Sequence, residues 1–311
     1  MAIDQASGLG YLADKTNKGV VVFDTKTDTF VTRIPGFVGR MKDGDASGPN
    51  GVVVVKDGAE VWVSDGDSTI KVIDIKTNTV TRTLSTGGKK RANGMTLGGN
   101  INTVIVANSN DAPPYLSFIS TEAGNKILGK VMIPESAENL ERSAYHAPSG
   151  MFYTAIPVSN ADETKGLLAQ TDPKSGKMVN LHVLPCHPHS LSIVSDTTIF
   201  LGCSSAHGPN KKPGGDLAIF DIPSAKVVGS LKNYGGNGGS TANLGVGQYY
   251  HSTSGGILMV VDIKTQQGQQ QIKTSRGARS AAVHQSTGRL YVAVTDKAQP
   301  CRGCIAIYAR N

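Results

Sequence analysis

The stretch Ile70-Lys71-Val72-Ile73-Asp74-Ile75-Lys76-Thr77-Asn78-Thr79-Val80-Thr81-Arg82-Thr83-Leu84 decides the fold. Its first half alternates, which puts Val72 and Ile73 on opposite faces of a sheet, because side chains reverse at each strand residue. The polar run Lys76-Thr77-Asn78-Thr79 predicts a tight turn, and residues 80–84 alternate again, so the stretch reads as a β-hairpin. Residues 20–34 are nearly a copy, 217–228 are a third version, and 258–265 open a fourth. Weaker versions lie at 116–120 and 168–176, and Ile305-Ala306-Ile307-Tyr308 is the last.

The aspartates of this unit give the period. Asp24 and Asp74 are 50 residues apart, Asp172 and Asp221 are 49, and Asp221 and Asp262 are 41. A period of about 40–50 residues carrying four strands is that of a propeller blade. Seven such units fit the chain. The expectation is an all-β, seven-bladed β-propeller of four-stranded antiparallel blades around a central channel, forming one domain over residues 1–311. The last blade shows three strands of its own, so its fourth is expected from the N-terminus or is missing. The long loop 35–49 is expected to rise over one face as a lid.

Composition agrees. Glycine is abundant, 37 in 311 residues, as many short strands and turns require. No apolar run approaches 18 residues, so no membrane span is expected. Met1-Ala2-Ile3-Asp4 runs directly into blade-like sequence, so no signal peptide is visible. The net charge of +7 is scattered, with tight clusters only at Lys89-Lys90-Arg91 and Lys211-Lys212 and no aromatic platform beside them. That argues against nucleic acid and for a solvated face or an anionic small ligand. Cys186 and Cys203 flank what reads as a hairpin, and Cys301 and Cys304 flank Arg302-Gly303; disulfides in these pairs would imply an oxidising, secretory or extracellular compartment. Zinc at Cys301-x-x-Cys304 is the rival, but no second ligand pair stands at matching spacing.

The innermost strand of each blade lines the channel, so the residues leading into those strands ring one mouth. Asn50, Asn93, Ser143, His189, Asn243 and Arg279 take these positions, with Arg142 and His187 beside them. One reading has them satisfying loop backbone and channel water; taken together, a polar ring at a pocket mouth is a candidate binding site. His187-Pro188-His189 stands out, because two histidines two apart on an extended segment project to one side and suit a metal or a proton-transfer pair. The plainer reading turns one to the channel and uses the other to cap a loop. No carboxylate neighbours them, so no metal is expected. His146 and His251, which follow Tyr145 and Tyr250, read as structural. Asp65-Gly66-Asp67-Ser68-Thr69 lacks a calcium loop's distal glutamate and reads as a strand-to-strand turn. Phosphate-loop, dinucleotide and Gly-x-Ser-x-Gly motifs do not occur.

Residues 72–78 with their return strand resemble the YVTN-type repeat of the YncE-like propeller family. Further segments, Gly48-Pro49-Asn50-Gly51-Val52, Pro113-Pro114-Tyr115, Cys186-His187-Pro188-His189, Leu201-Gly202-Cys203 and Cys304-Ile305-Ala306-Ile307-Tyr308 among them, resemble fungal secreted-type propellers over nearly the whole chain. One branch of that group is the hetero-Diels–Alderases of tropolonic sesquiterpene biosynthesis. The resemblance to that branch implies cofactor-independent joining of a tropolone o-quinone methide to a humulene-type alkene, and hence small hydrophobic substrates as partners. For that chemistry the hydrogen-bonding groups expected at the channel mouth are the candidates: His189, Arg279 and Asn50 as catalytic residues, and Asn93, Arg142, Ser143, Tyr145, His187, Asn243 and Tyr250 as substrate-binding ones. The chain departs from its relatives at Glu141-Arg142-Ser143-Ala144-Tyr145 and Ser240-Thr241-Ala242-Asn243-Leu244, both expected at the mouth. A propeller lactonase or hydrolase, or a non-catalytic ligand-binding or scaffold propeller, is the competing reading.

Overall fold

The structure, a computed structural model, describes the whole chain except residues 208–210, 212–213, 296–300, 302 and 310–311. Lys212 and Arg302 of the sequence clusters lie outside the described residues. Strands form seven antiparallel sheets, the blades of a seven-bladed propeller, with almost no helix. Blade one is β1 (Ala2–Ile3), β2 (Leu9–Asp14), β3 (Gly19–Asp24) and β4 (Thr29–Pro35). Blade two is β5 (Val52–Val55), β6 (Glu60–Ser64), β7 (Thr69–Asp74) and β8 (Thr79–Ser85); blade three is β9 (Met95–Gly98), β10 (Thr103–Asn108), β11 (Tyr115–Ser120) and β12 (Ile127–Met132). Blade four is β13 (Ser143–His146), β14 (Met151–Ile156), β15 (Gly166–Asp172) and β16 (Lys177–Leu184). Blade five is β17 (Pro188–Ser195), β18 (Thr198–Cys203), β19 (Leu217–Asp221) and β20 (Lys226–Leu231); blade six is β21 (Gly238–Asn243), β22 (Gln248–Thr253), β23 (Ile257–Asp262) and β24 (Gln267–Lys273). Blade seven has three strands among the described residues, β25 (Ala281–Val283), β26 (Leu290–Ala293) and β27 (Ile305–Tyr308).

The chain divides into two compact units, residues 1–154 with 169–181, and 155–168 with 182–311. The N-terminal segment, where blade seven's fourth strand is expected unless it is missing, is not used there. Ala2 and Ile3 pair with Tyr11 and Gly10 as the innermost strand of blade one.

The repeated aspartate closes the hairpin turn. Asp24, Asp74, Asp172, Asp221 and Asp262 each accept a hydrogen bond from a backbone N–H two or three residues on, at 2.7–2.9 Å. This side-chain turn satisfies donors that the sheet leaves unpaired. Four residues after each aspartate the backbone turns left-handed, at Asp28, Asn78, Gly176, Ala225 and Gln266. Ala225, at φ 56°, is the misfit of the series. An alanine in this region costs about 1–2 kcal/mol, while a glycine loses about 0.5–1 kcal/mol in chain entropy. Ala225→Gly is therefore expected to raise the melting temperature, by about 0.5 kcal/mol of stability; calorimetry showing a lower melting temperature would contradict this account of the turn.

Packing follows the period of two. In the first unit Val61 and Val63 face blade one, meeting Tyr11, Val20, Val22 and Ile34, all buried. Trp62, between them in sequence, faces blade three with Val104, Val106 and Ile119. In the second unit Phe200 and Leu217 pack on Tyr249 and Val261, and Tyr250 and Val260 on Leu290 and Val292. The fourth strands are mostly exposed, apolar residues such as Phe30, Val183 and Val228 included.

Loop 35–49 is a strap. Asp65, fully buried at the β6–β7 turn, accepts hydrogen bonds from the backbone N–H of Val38 and of Gly66. Burial pushes its carboxyl above the usual aspartate range, against the pull of those N–H groups. Phe37 is buried in the core between blades one and two. Arg91 donates to the Gly44 carbonyl at 2.9 Å, and Asn110 to Asp45 at 2.8 Å. With both its ends and its middle tied to the first three blades, the loop is not the free lid that its length implies.

Candidate functional site

Adjacent blades are joined by a serine near the end of the second strand. Ser64 donates to the Asn93 carbonyl at 2.5 Å, Ser109 to the Leu140 carbonyl, and Ser252 to the Ala278 carbonyl. Each of these serines is buried, and each carbonyl belongs to the segment leading into the next blade. A small hydroxyl suits the position, because it satisfies a carbonyl that no ladder reaches.

In the first unit this bonding occupies several of the expected site residues. The Asn50 amide donates to the Ser47 and Ala92 carbonyls, both at 2.9 Å. Asn93 donates to Ser109 Oγ at 3.2 Å. Ser143 Oγ meets Thr154 Oγ1 at 2.8 Å, and its carbonyl accepts from Thr96. The Tyr145 ring packs on Phe152, with centroids 4.9 Å apart. Arg142 is exposed beside these groups.

In the second unit the expected residues fall in different places. Asn243 is the last residue of β21 rather than one leading into it. It is fully buried, donates to the Gln285 carbonyl at 3.0 Å and accepts from the Val246 N–H. The displacement comes from the glycine run before it. A Cβ at Gly235 would lie 2.0 Å from the Asp216 carbonyl oxygen, and one at Gly238 would lie 2.1 Å from that of Ser252. Backbone therefore packs directly on backbone there, and the strand begins at Gly238. Tyr250, in mid-β22, donates to Gln248 at 2.5 Å and faces blade seven. Arg279 is exposed just before β25.

The histidines do converge. His187 Nδ1 meets the Pro157 carbonyl at 2.8 Å, so that nitrogen carries the proton and the ring caps a loop. His189 is 2% exposed, and its ring lies 4.4 Å from that of His207. His207 also lies 6.2 Å from His187. The His207 ring is tilted against both, by 39° to His189 and 46° to His187, and among the described residues no group of three His, Cys, Asp or Glu could hold a metal ion. The Cys186–Cys203 disulfide pins the start of β17 to the end of β18 and so fixes this corner. Cys301 and Cys304 form the second disulfide.

One pairing is invisible in the sequence, where its members stand 61 residues apart. Ser190 Oγ lies 3.2 Å from His251 Nδ1, and His251 Nε2 lies 3.1 Å from the Gly236 carbonyl. The carbonyl can only accept, so Nε2 carries the proton, and in the neutral ring Nδ1 accepts from the serine. This is the hydrogen bond of a nucleophile–base couple, yet both side chains have no exposed surface, and no substrate reaches them as they stand. The couple latches blade five to blade six. Beside it burial pushes the Tyr249 hydroxyl up.

No family model matches the chain, and no curated relative does. Among solved structures it is similar to hydrazine synthase of Kuenenia stuttgartiensis, with a TM-score of 0.77 and 14% identity over 99% of this chain and 94% of that one. At that identity the likeness carries the fold, the seven-bladed β-propeller, and no chemistry.

Proposed function

We propose that the chain is a small-molecule enzyme of the secretory pathway, a hetero-Diels–Alderase that joins a tropolone o-quinone methide to a humulene-type alkene without a metal or organic cofactor. The substrate pair rests on the sequence resemblance. The observation that carries a site is the His187–His189–His207 corner, three imidazoles fixed beside a disulfide at the start of β17. The two disulfides support the compartment.

In the reaction the exocyclic carbon and the carbonyl oxygen of the quinone methide bond to the two alkene carbons, and no atom is lost. Holding the two reactants in near-attack geometry contributes several kcal/mol. A donor to the carbonyl oxygen stabilises the charge that develops there. His189 and the exposed Arg279 guanidinium are assigned that role. His189→Gln and Arg279→Ala are each expected to lower the rate of cycloadduct formation about tenfold, equivalent to about 1.4 kcal/mol in the barrier. Melting temperatures close to wild type would show that the loss is chemical. Unchanged rates in both variants would remove these roles.

A second reading, a non-catalytic binding or scaffold propeller, is favoured by one observation. Asn50, Asn93 and Asn243, expected to meet substrate, direct their amides to groups inside the protein. On that reading no variant changes the background rate.

A further inference from the structure

The strap of residues 35–49 closes over a buried carboxylate. Its neck is an antiparallel bridge between Gly39 and Gly48, where the Gly48 N–H donates to the Gly39 carbonyl at 3.1 Å. Asp65 sits against this neck with no exposed surface. The strap supplies one wall of that burial. Val38 directs its N–H at both carboxylate oxygens, at 3.3 and 3.2 Å, and a Cβ on Gly48 would lie 2.1 Å from Oδ1. A Cβ on Gly66, the next residue of the β6–β7 turn, would lie 2.3 Å from the Ala46 carbonyl oxygen. Strap backbone thus lies directly on the turn, and lifting the strap is what brings water to the carboxylate.

Little charge compensates Asp65. On β7 the Lys71 ammonium stands 3.9 Å from Oδ2, but it is committed to Asp67 at 2.7 Å. Asp67, in the same turn, faces Asp65 as a like charge. From the strap the facing groups are backbone and glycine, and Lys18 of the β2–β3 turn lies along Gly39. From the segment leading into β9, the Ala92 N–H meets the Asp65 carbonyl, while the Arg91 guanidinium turns to the Gly44 carbonyl and to Asn110. A carboxylate taken out of water without a close ion partner is costly. Burial accordingly outweighs the N–H donors and holds the carboxyl above the usual aspartate range.

We propose that the strap and Asp65 form a proton-sensitive clasp, in which the closed strap takes up a proton on Asp65, the lifted strap returns it to water, and falling pH draws the strap shut. Closed, the carboxyl is buried and favours its neutral form. Lifted, it is hydrated and favours the charged one. Closing therefore binds a proton, and the closed population rises as pH falls toward the range of a hydrated aspartate, about 4. The ion pair of Asp43 with Lys90, at 3.5 Å on the same strap, does not oppose this. The Asp45 N–H and Lys90 hold the Asp43 carboxyl below the usual range, so it stays ionised while Asp65 changes. The closed strap also ties down the segment leading into β9. The Arg91 N–H donates to the Asp45 carbonyl, and Asn110 donates to the Asp45 side chain, both at 2.8 Å. The clasp thereby couples acidity to the loops that join blades two and three.

The test is amide hydrogen exchange of the whole protein at about pH 7 and about pH 4.5, each rate divided by the intrinsic rate at that pH. The amides of Val38, Arg40 and Gly48 report the strap, since each is hydrogen-bonded at the neck or to the turn beside it. Their protection is expected to rise about threefold or more on acidification, within the tenfold per pH unit that one proton allows. Asp65→Asn has no charge to bury, so its strap should be equally protected at both pH values. Asp67→Asn frees Lys71 for Asp65, so its transition should move to lower pH. Asp67 is exposed, and this variant decides the matter should Asp65→Asn fail to fold. Three results overturn the proposal: wild-type strap protection that does not change with pH, a pH dependence that persists in Asp65→Asn, or a transition that stays in place in Asp67→Asn.

Discussion

Trp62→Ala is expected to destabilise the protein by about 3–5 kcal/mol, the cost of emptying an aromatic site in a packed core. Trp62 is fully buried at the centre of β6, opposite Val53 and Val72 in its own blade. On its far side it meets Val104, Val106 and Ile119 of blade three, so its removal opens the seam between two blades as well as one sheet. The indole N–H adds a polar anchor, donating to Glu60 at 3.0 Å. Glu60 also receives Lys56 and Arg82, each at 2.9 Å. Burial would raise the Glu60 carboxyl, but these three donors together outweigh it and hold it at about 2. Its contribution is present above the ordinary glutamate range and lost as pH falls toward 2. Trp62→Phe keeps most of the ring and gives up the N–H, so it should cost less than half as much. Urea unfolding followed by circular dichroism measures both, since Trp62 is the sole tryptophan and its fluorescence goes with it. Equal losses in the two variants would show that the anchor, and not the packing, carries the site.

Gly202→Ala is the second large effect, expected at about 2–3 kcal/mol, as for overpacking a tight core. In β18 this residue lies opposite Ser190. A Cβ there would stand 2.4 Å from Ser190 Oγ and 2.6 Å from His251 Cε1. Neither neighbour is the loose end of a flexible chain; both are buried and hydrogen-bonded to each other. The methyl group must therefore break the latch or push blade six away. Ser190→Ala removes the nearer contact, so the double variant should lose less than the sum of the two single losses. Additive losses in thermal unfolding would mean that the clash is elsewhere.

The hairpins and blade count were legible because five of the seven repeats carry the same turn chemistry, an aspartate that bonds forward and a left-handed residue four positions later. Alternation told the same story, since Val61, Trp62 and Val63 divide between two inter-blade cores. The site was less legible. Asn50 and Asn93 look like ligands in sequence, but a polar side chain beside a strand's start serves backbone as readily as substrate, and here it does so. Asn243 was misplaced because a glycine run hides where a strand begins. Ser190 and His251 meet only through the pairing of blades, and nothing local marks His207, which reaches His189 from the loop after β18. The strap at 35–49 likewise depends on partners up to 65 residues away, as Asp45 and Asn110 show.

The cycloaddition reading is tested most directly by a product assay. Purified protein is given an o-quinone-methide precursor of the tropolone class and humulene, beside a protein-free control, and the products are resolved by chiral chromatography and mass spectrometry. The account predicts a single stereoisomer formed faster than in the control. A racemic product at the control rate would contradict it and leave the chain a binding or scaffold propeller.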